Sequence, residues 1–225
     1  MERAWVTRMH DCQRCPRLVE WRQAVAGKKP AFRADEYWSK PVGGFGDPQA
    51  RLLIVGLAPG AHGANRTGRP FTGDAAGEWL YRVLYENGMA SRPTAVDAND
   101  GMVLNDVFIT NVVRCVPPDN RPAKEELAAC RNWLQEEMAQ LPRIEVILAL
   151  GREAFHSVKM LYRQLGVDVT GMSFAHGAVY PLGERFPVLM GCYHPSRRNT
   201  NTGLLTWEMW KAVFDTIRLR FIKYL

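Results

Sequence analysis

Four short apolar runs frame the chain. Leu52-Leu53-Ile54-Val55, Val107 to Asn111, Ile144 to Leu150 and Pro187 to Tyr193 are each bounded by turn residues, the pattern of buried strands. Between them the apolar positions switch to helical spacing. Trp79, Leu80, Val83 and Leu84 predict a helix over Asp74–Asn87, with Asp74 as its N-cap and Gly88 as its stop. Leu127, Cys130, Leu134, Met138 and Leu141 predict a second, from about Ala123 to Gln140. Gly151 turns the third run into a helix carrying Ala154, Phe155, Val158 and Leu161. The closing helix runs from Leu204 to about Ile222, with Met209, Trp210, Val213, Phe214 and Ile217 facing inward. Residues 1–22 read as helical, with Trp5, Met9 and Leu18 as core contacts and an interruption at Cys12-Gln13-Arg14-Cys15-Pro16. Residues 23–50 read as an irregular surface segment, and residues 166–186 as a small hairpin around Gly171 to Val179. Strands alternating with helices predict parallel pairing with helices on both faces. The expected organisation is one domain over residues 1–225, with an N-terminal cysteine-bearing segment.

Composition narrows this only a little. A chain of 225 residues, 47% hydrophobic and 23% charged, buries a full core. A formal charge of +6 suits an anionic partner such as nucleic acid. No apolar run approaches the roughly 20 residues that span a bilayer, and the N-terminus lacks a signal-peptide core. The expectation is a cytoplasmic protein with no membrane partner. Five cysteines in that setting favour metal binding or catalysis over disulfides.

The first apolar run opens into Gly56–Asp74, nineteen residues with five glycines and two prolines. Glycine there lets backbone N–H groups approach a ligand closely, and ligands sit at the C-terminal ends of strands in α/β sheets. The loop has neither the P-loop lysine nor dinucleotide glycine spacing, which argues against a nucleotide-phosphate enzyme. Cys12 and Cys15 form a C-x-x-C pair, Cys115 follows the second run, and Cys130 sits on the next helix. Four thiolates suit an iron–sulfur cluster or a structural zinc. Alternatively, Cys130 is a small core residue and the first pair is redox-active. Cys192, inside a strand, reads as a buried thiol.

Six fragments together resemble one family. They are Cys12-Gln13-Arg14-Cys15, Gly56-Leu57-Ala58-Pro59-Gly60, Gly68-Arg69-Pro70-Phe71, Ile109-Thr110-Asn111-Val112-Val113-Arg114-Cys115, Cys130, and His194-Pro195-Ser196-Arg197-Arg198-Asn199. The set resembles the uracil-DNA glycosylase superfamily, in its iron–sulfur branch, family 5. The resemblance implies a three-layer αβα sandwich around a four-stranded parallel sheet. It also implies a [4Fe–4S] cluster on Cys12, Cys15, Cys115 and Cys130. The implied partner is double-stranded DNA containing uracil or other deaminated bases such as hypoxanthine, met by a monomer. The implied reaction is hydrolysis of the N-glycosidic bond after the nucleotide is flipped out.

By resemblance Phe71 stacks on the flipped base, Asn111 reads its edge, and His194 lies in the second active-site motif. The Leu57 and Ala58 backbone serves the base carbonyl. Arg197, Arg198 and Asn199 belong to the DNA-inserting loop, Ser196 to Gly203. Relatives keep carboxylates at the Leu57 or Ala58 position; here both are apolar, so the water activator must lie elsewhere or the leaving base must carry more of the work. Asp74, three residues after Phe71, is the candidate, beside its ordinary use as a helix cap. His62, Asn65 and Arg66 are secondary candidates for base or phosphate contacts. No lysine is placed as a Schiff-base nucleophile, so a monofunctional enzyme is expected. The alternative is a non-catalytic iron–sulfur module that binds damaged DNA.

Overall fold

A computed structural model describes residues 4–222. The first three residues of the expected N-terminal helix lie outside the described residues. That helix forms as two, α1 (Ala4–His10) and α2 (Pro16–Ala24), split where the cysteine pair falls. Pro16 begins α2 because a residue without an N–H loses nothing at the first helical position.

The four apolar runs become parallel strands. They are β2 (Leu52–Gly56), β3 (Val107–Asn111), β4 (Val146–Leu150) and β6 (Val188–Cys192). Two-residue antiparallel strands cap the edges: β1 (Phe45–Gly46) against β3, and β5 (Val179–Tyr180) against β6. The order across the sheet is β1-β3-β2-β4-β6-β5. The expected hairpin over residues 166–186 does not form. Only Val179 and Tyr180 are strand, and they pair with β6 instead of with a neighbouring strand of their own segment. Gly177 N–H donates to the Gly191 carbonyl and Gly191 N–H to that of Ala178, so the backbone groups of this segment are satisfied by the sheet edge.

Alternating side chains on β2 divide the core into two. Leu52 and Ile54 pack with α4 (Ala75–Glu86) and α8 (Trp207–Arg220). Leu53 and Val55 pack with α5 (Lys124–Met138) and α6 (Arg152–Gln164), together with Met9 and Leu18. Helices therefore cover both faces, which is why the central strands read as continuous apolar runs. The expected three-layer αβα sandwich with four central parallel strands is the observed one. The segment over residues 23–50 is largely irregular, apart from β1 and a single 3-10 turn at Pro30–Phe32, and it is not confined to the surface: Val42 and Ala50 are buried. No helix among the described residues is long and apolar enough to cross a membrane.

The crossovers leave a crevice. The helix after β2, α4, lies on one face, while the helix after the adjacent β4, α6, lies on the other. Neighbouring strands whose helices depart in opposite directions open a cleft at their C-terminal ends.

Candidate active site

The segments that leave the C-terminal ends of β2, β3 and β6 meet at this crevice. Gly56 closes β2 and lies in register with Asn111, the last residue of β3. A Cβ on Gly56 would collide with Asn111 Oδ1 and with the Phe71 ring. The missing side chain is thus what admits an amide and an aromatic ring to the end of the strand. Asn111 is 2% exposed, and among the described residues its side-chain amide has no hydrogen-bond partner. That leaves both a donor and an acceptor for a ligand.

Phe71 is held by the backbone around it. Its φ is 52°, a left-handed conformation that is uncommon for a bulky residue. Its carbonyl packs against α4 where a Cβ on Gly77 would overlap it. Tyr81 Oη donates to the preceding carbonyl of Pro70 at 3.0 Å. Arg69 donates to Thr72 Oγ1 at 2.9 Å and forms a two-pronged pair with Asp100 at 2.8 and 2.6 Å. Burial favours the neutral acid at Asp100, but the Arg69 guanidinium and the N–H groups of Val96 and Met102 outweigh it and hold its pKa well below the ordinary range. These ties fix the Phe71 ring 5.8 Å from the His194 ring, stacked at 29°.

His194 follows β6 directly. Its carbonyl accepts from Ser196 N–H and from Asn199 Nδ2, both at 2.8 Å. Burial pushes its pKa down to about 4, so the ring is neutral at ordinary pH. Asn199, expected to meet DNA, therefore donates its amide to the His194 backbone. The expected loop after His194 carries a short helix, α7 (Arg197–Asn201), because Ser196 caps it by accepting from Asn199 N–H. Arg197 and Arg198 stand exposed on it.

Asp74 caps α4. Its Oδ1 accepts from Gly77 N–H at 2.9 Å, while Oδ2 lies beside Gly60 and Gly63. Burial raises its pKa, opposed by the Gly77 and Ala76 N–H groups and by Arg197. Leu57 and Ala58 are part-exposed, and among the described residues their N–H groups have no protein acceptor.

The secondary candidates are occupied by the protein itself. His62 Nδ1 shares a 2.8 Å hydrogen bond with Tyr37 Oη. Asn65, on the short helix α3 (Ala64–Thr67), is fully buried and donates to the Arg22 carbonyl at 3.0 Å. Arg66 pairs with Asp35 at 2.9 Å and donates to the His62 carbonyl. Gly77, the Arg69–Asp100 pair and Arg22 support the site without having been anticipated. Arg69 at least falls within a motif; the others carry no sequence signal apart from a glycine inside a helix.

Cys12, Cys15, Cys115 and Cys130 line one small cavity with Leu18, Pro41, Val113 and Trp133. Burial raises the thiol pKa of Cys15 and Cys115 and pushes that of Cys130 up to about 12. Arg22 Nη1 donates to Cys115 Sγ at 3.1 Å, and Arg114 N–H to Cys130 Sγ at 3.2 Å. Among the described residues, no group of three or more His, Cys, Asp or Glu is placed to hold a single metal ion. Four sulfurs around one apolar cavity, two of them accepting hydrogen bonds, fit a thiolate-held cluster. Cys192 is fully buried.

Known proteins resemble this chain over most of its length. Residues 44–217 match the model of the uracil DNA glycosylase superfamily. A type-5 uracil-DNA glycosylase from Thermus thermophilus is 50% identical, covering 93% of this chain and 94% of the relative. One from Pyrobaculum aerophilum is 42% identical over 91% and 86% of the two chains. A type-4 uracil-DNA glycosylase from Sulfurisphaera tokodaii is 31% identical over 75% and 70%.

Proposed function

The chain belongs to the uracil DNA glycosylase superfamily, and from that premise we propose that it removes uracil from DNA by hydrolysing the N-glycosidic bond. The observation that carries this reading is the convergence of Phe71 and Asn111 on Gly56, with the Phe71 ring stacked against a neutral His194. An aromatic face, a free amide and a neutral imidazole are what a flipped base requires for stacking, edge reading and stabilisation of its carbonyl.

The mechanism follows from the state of each group. Asn111 donates to and accepts from the base edge and so favours uracil over cytosine. His194, held by Asn199 and uncharged, donates an N–H to the base oxygen that gains charge as the bond breaks. The Leu57 and Ala58 N–H groups reinforce this at the strand end. Leu57 and Ala58 have no carboxylate to offer, so Asp74 supplies the negative charge: it orients the attacking water and stabilises the sugar cation. Its Oδ1 stays on the helix cap, and Oδ2 is the oxygen available for this work. With no lysine in the constellation, the product is an abasic site in an intact strand. The apolar first motif makes the site less selective among carbonyl-bearing bases, and hypoxanthine is a second substrate.

Cys12, Cys15, Cys115 and Cys130 would hold a [4Fe–4S] cluster, which would supply a cross-link from the α1–α2 turn to the β3–α5 connection and to α5 itself. Arg197 and Arg198 face DNA phosphates.

Single-turnover base release from duplexes containing uracil or hypoxanthine tests the reading. Release of free uracil with the strand left uncut is expected. Tight binding of the uracil duplex without release would leave the non-catalytic binder in its place.

A further inference from the structure

We propose that Arg22 is a positioning residue that couples the cysteine cage to the loop forming the base site. The inference rests on the cluster reading of that cage. Arg22 lies on α2 and is 2% exposed. Its Nη1 donates to Cys115 Sγ at 3.1 Å and to the Cys12 carbonyl at 3.4 Å, so it touches ligands from both halves of the cage. Among the described residues no carboxylate pairs with it. A buried cation without a counter-charge is costly. The thiolates of the cage are the negative groups within its reach, and a thiolate-held cluster carries the charge that neutralises it.

The other end of the same residue holds the base-site loop. The Arg22 carbonyl accepts from Asn65 Nδ2 at 3.0 Å, in the fully buried interior. Asn65 N–H donates to the Gly60 carbonyl at 3.0 Å, and its own carbonyl accepts from Ser39 N–H at 3.1 Å. Gly60 and Gly63 form the backbone wall against which Asp74 Oδ2 rests. A series of hydrogen bonds thus runs from Cys115 through Arg22 and Asn65 to Gly60, and the Asp74 carboxylate sits where a Cβ on Gly60 or Gly63 would meet it. A shift of the cage moves α2, and with it the backbone that defines where the Asp74 carboxylate sits.

The two ends have separate signatures. At the cage, a cationic N–H donor to a ligand sulfur stabilises the more reduced cluster, so its removal lowers the reduction potential. At the loop, a displaced α2 (in the Arg22 side-chain variants) or a lost Asn65 Nδ2 bond to the Arg22 carbonyl (in the Asn65 variant) frees backbone amides to exchange.

The test compares wild-type holoprotein with Arg22→Gln, Arg22→Lys and Asn65→Ala. Three quantities are measured: the reduction potential, the decay of visible absorption in excess chelator, and hydrogen exchange over residues 60–67. Arg22→Gln is expected to shift the potential to more negative values, to speed decay about 10-fold and to raise exchange. Arg22→Lys keeps the charge and recovers most of the potential. Asn65→Ala raises exchange while leaving the potential at the wild-type value. If Arg22→Gln does not assemble, the Lys and Asn65 variants decide the matter by the same contrast. An iron-free wild type overturns both the cluster reading and this inference. An iron-loaded wild type whose Arg22→Gln variant keeps wild-type exchange over residues 60–67 overturns this inference alone, whatever its potential.

Discussion

His194 and Asp74 are both half-buried ionisable groups, and desolvation moves them in opposite directions. The imidazole is pushed down to about 4 and the carboxyl is pushed up, so each is biased toward its neutral form. In the proposed mechanism that bias suits His194, because a neutral ring donates without giving up its proton. The same shift makes stability depend on pH. Between about 6.5 and about 4 the unfolded chain binds a proton on His194 and the native chain does not, so this residue's contribution falls as pH falls. Melting curves across that range should show the loss, and His194→Gln should flatten it. Asp74 must ionise to work, so base release should rise with pH through its elevated pKa. Asp74→Asn retains a good N-cap but no charge. It is expected to lower single-turnover release on the order of 100-fold or more, with the acid limb abolished and the melting temperature little changed. A loss of only a few-fold would return Asp74 to the role of helix cap.

Helix α4 illustrates how an element shapes a site from outside it. An interior glycine ordinarily weakens a helix by about 1 kcal/mol relative to alanine, so Gly77→Ala would be expected to stabilise. Here the Phe71 carbonyl occupies the space a Cβ would need. Gly77→Ala is therefore expected to destabilise, and to reduce base release by at least ~10-fold by displacing the Phe71 ring. Chemical denaturation and single-turnover assays on the same variant check both parts. An alanine variant more stable than the parent and fully active would refute this account of the glycine. The helices were readable in the sequence because their apolar positions keep one period over about ten or more residues, and the central strands because they are unbroken apolar runs bounded by turn residues. The region over residues 166–186 was misread for the opposite reason. Its apolar residues are scattered, and its two strand positions answer to the edge of β6, not to any local partner.

For the molecule as a whole, the sheet order decides where chemistry can occur. Because β2 and β4 send their helices to opposite faces, the crevice falls between the loop after β2 and the turn that brings His194 against Gly151. The exposed Arg197 and Arg198 stand on the short helix beyond it, and the chain carries a formal charge of +6. Replacing both arginines with glutamine should weaken binding to duplexes of any sequence. It should also reduce the slope of log affinity against log salt by about 1 to 2. Titrations at several salt concentrations measure it. An unchanged slope would move the DNA contact to another surface.

Periodicity pointed to the parallel αβα class, and the resemblance carried by six motifs in order implied the cysteine cage and Phe71, Asn111 and His194 as site candidates. These are local properties: strand and helix patterns, and motifs set by neighbours in the chain. What lies between those residues required the tertiary structure. Asn65 and Asn199 read as polar loop residues with groups to offer a ligand, yet one is buried beneath Arg22 and the other holds the His194 backbone. Asp100 meets Arg69 across 31 positions, and Arg22 meets Cys115 across 93. A hydrogen-bond partner chosen over that distance depends on how the layers pack, which no short stretch of sequence encodes. The open loop from Gly56 to Asp74 is for the same reason a rigid one: its shape is held by groups from α2, from α4 and from the segment around Asp100.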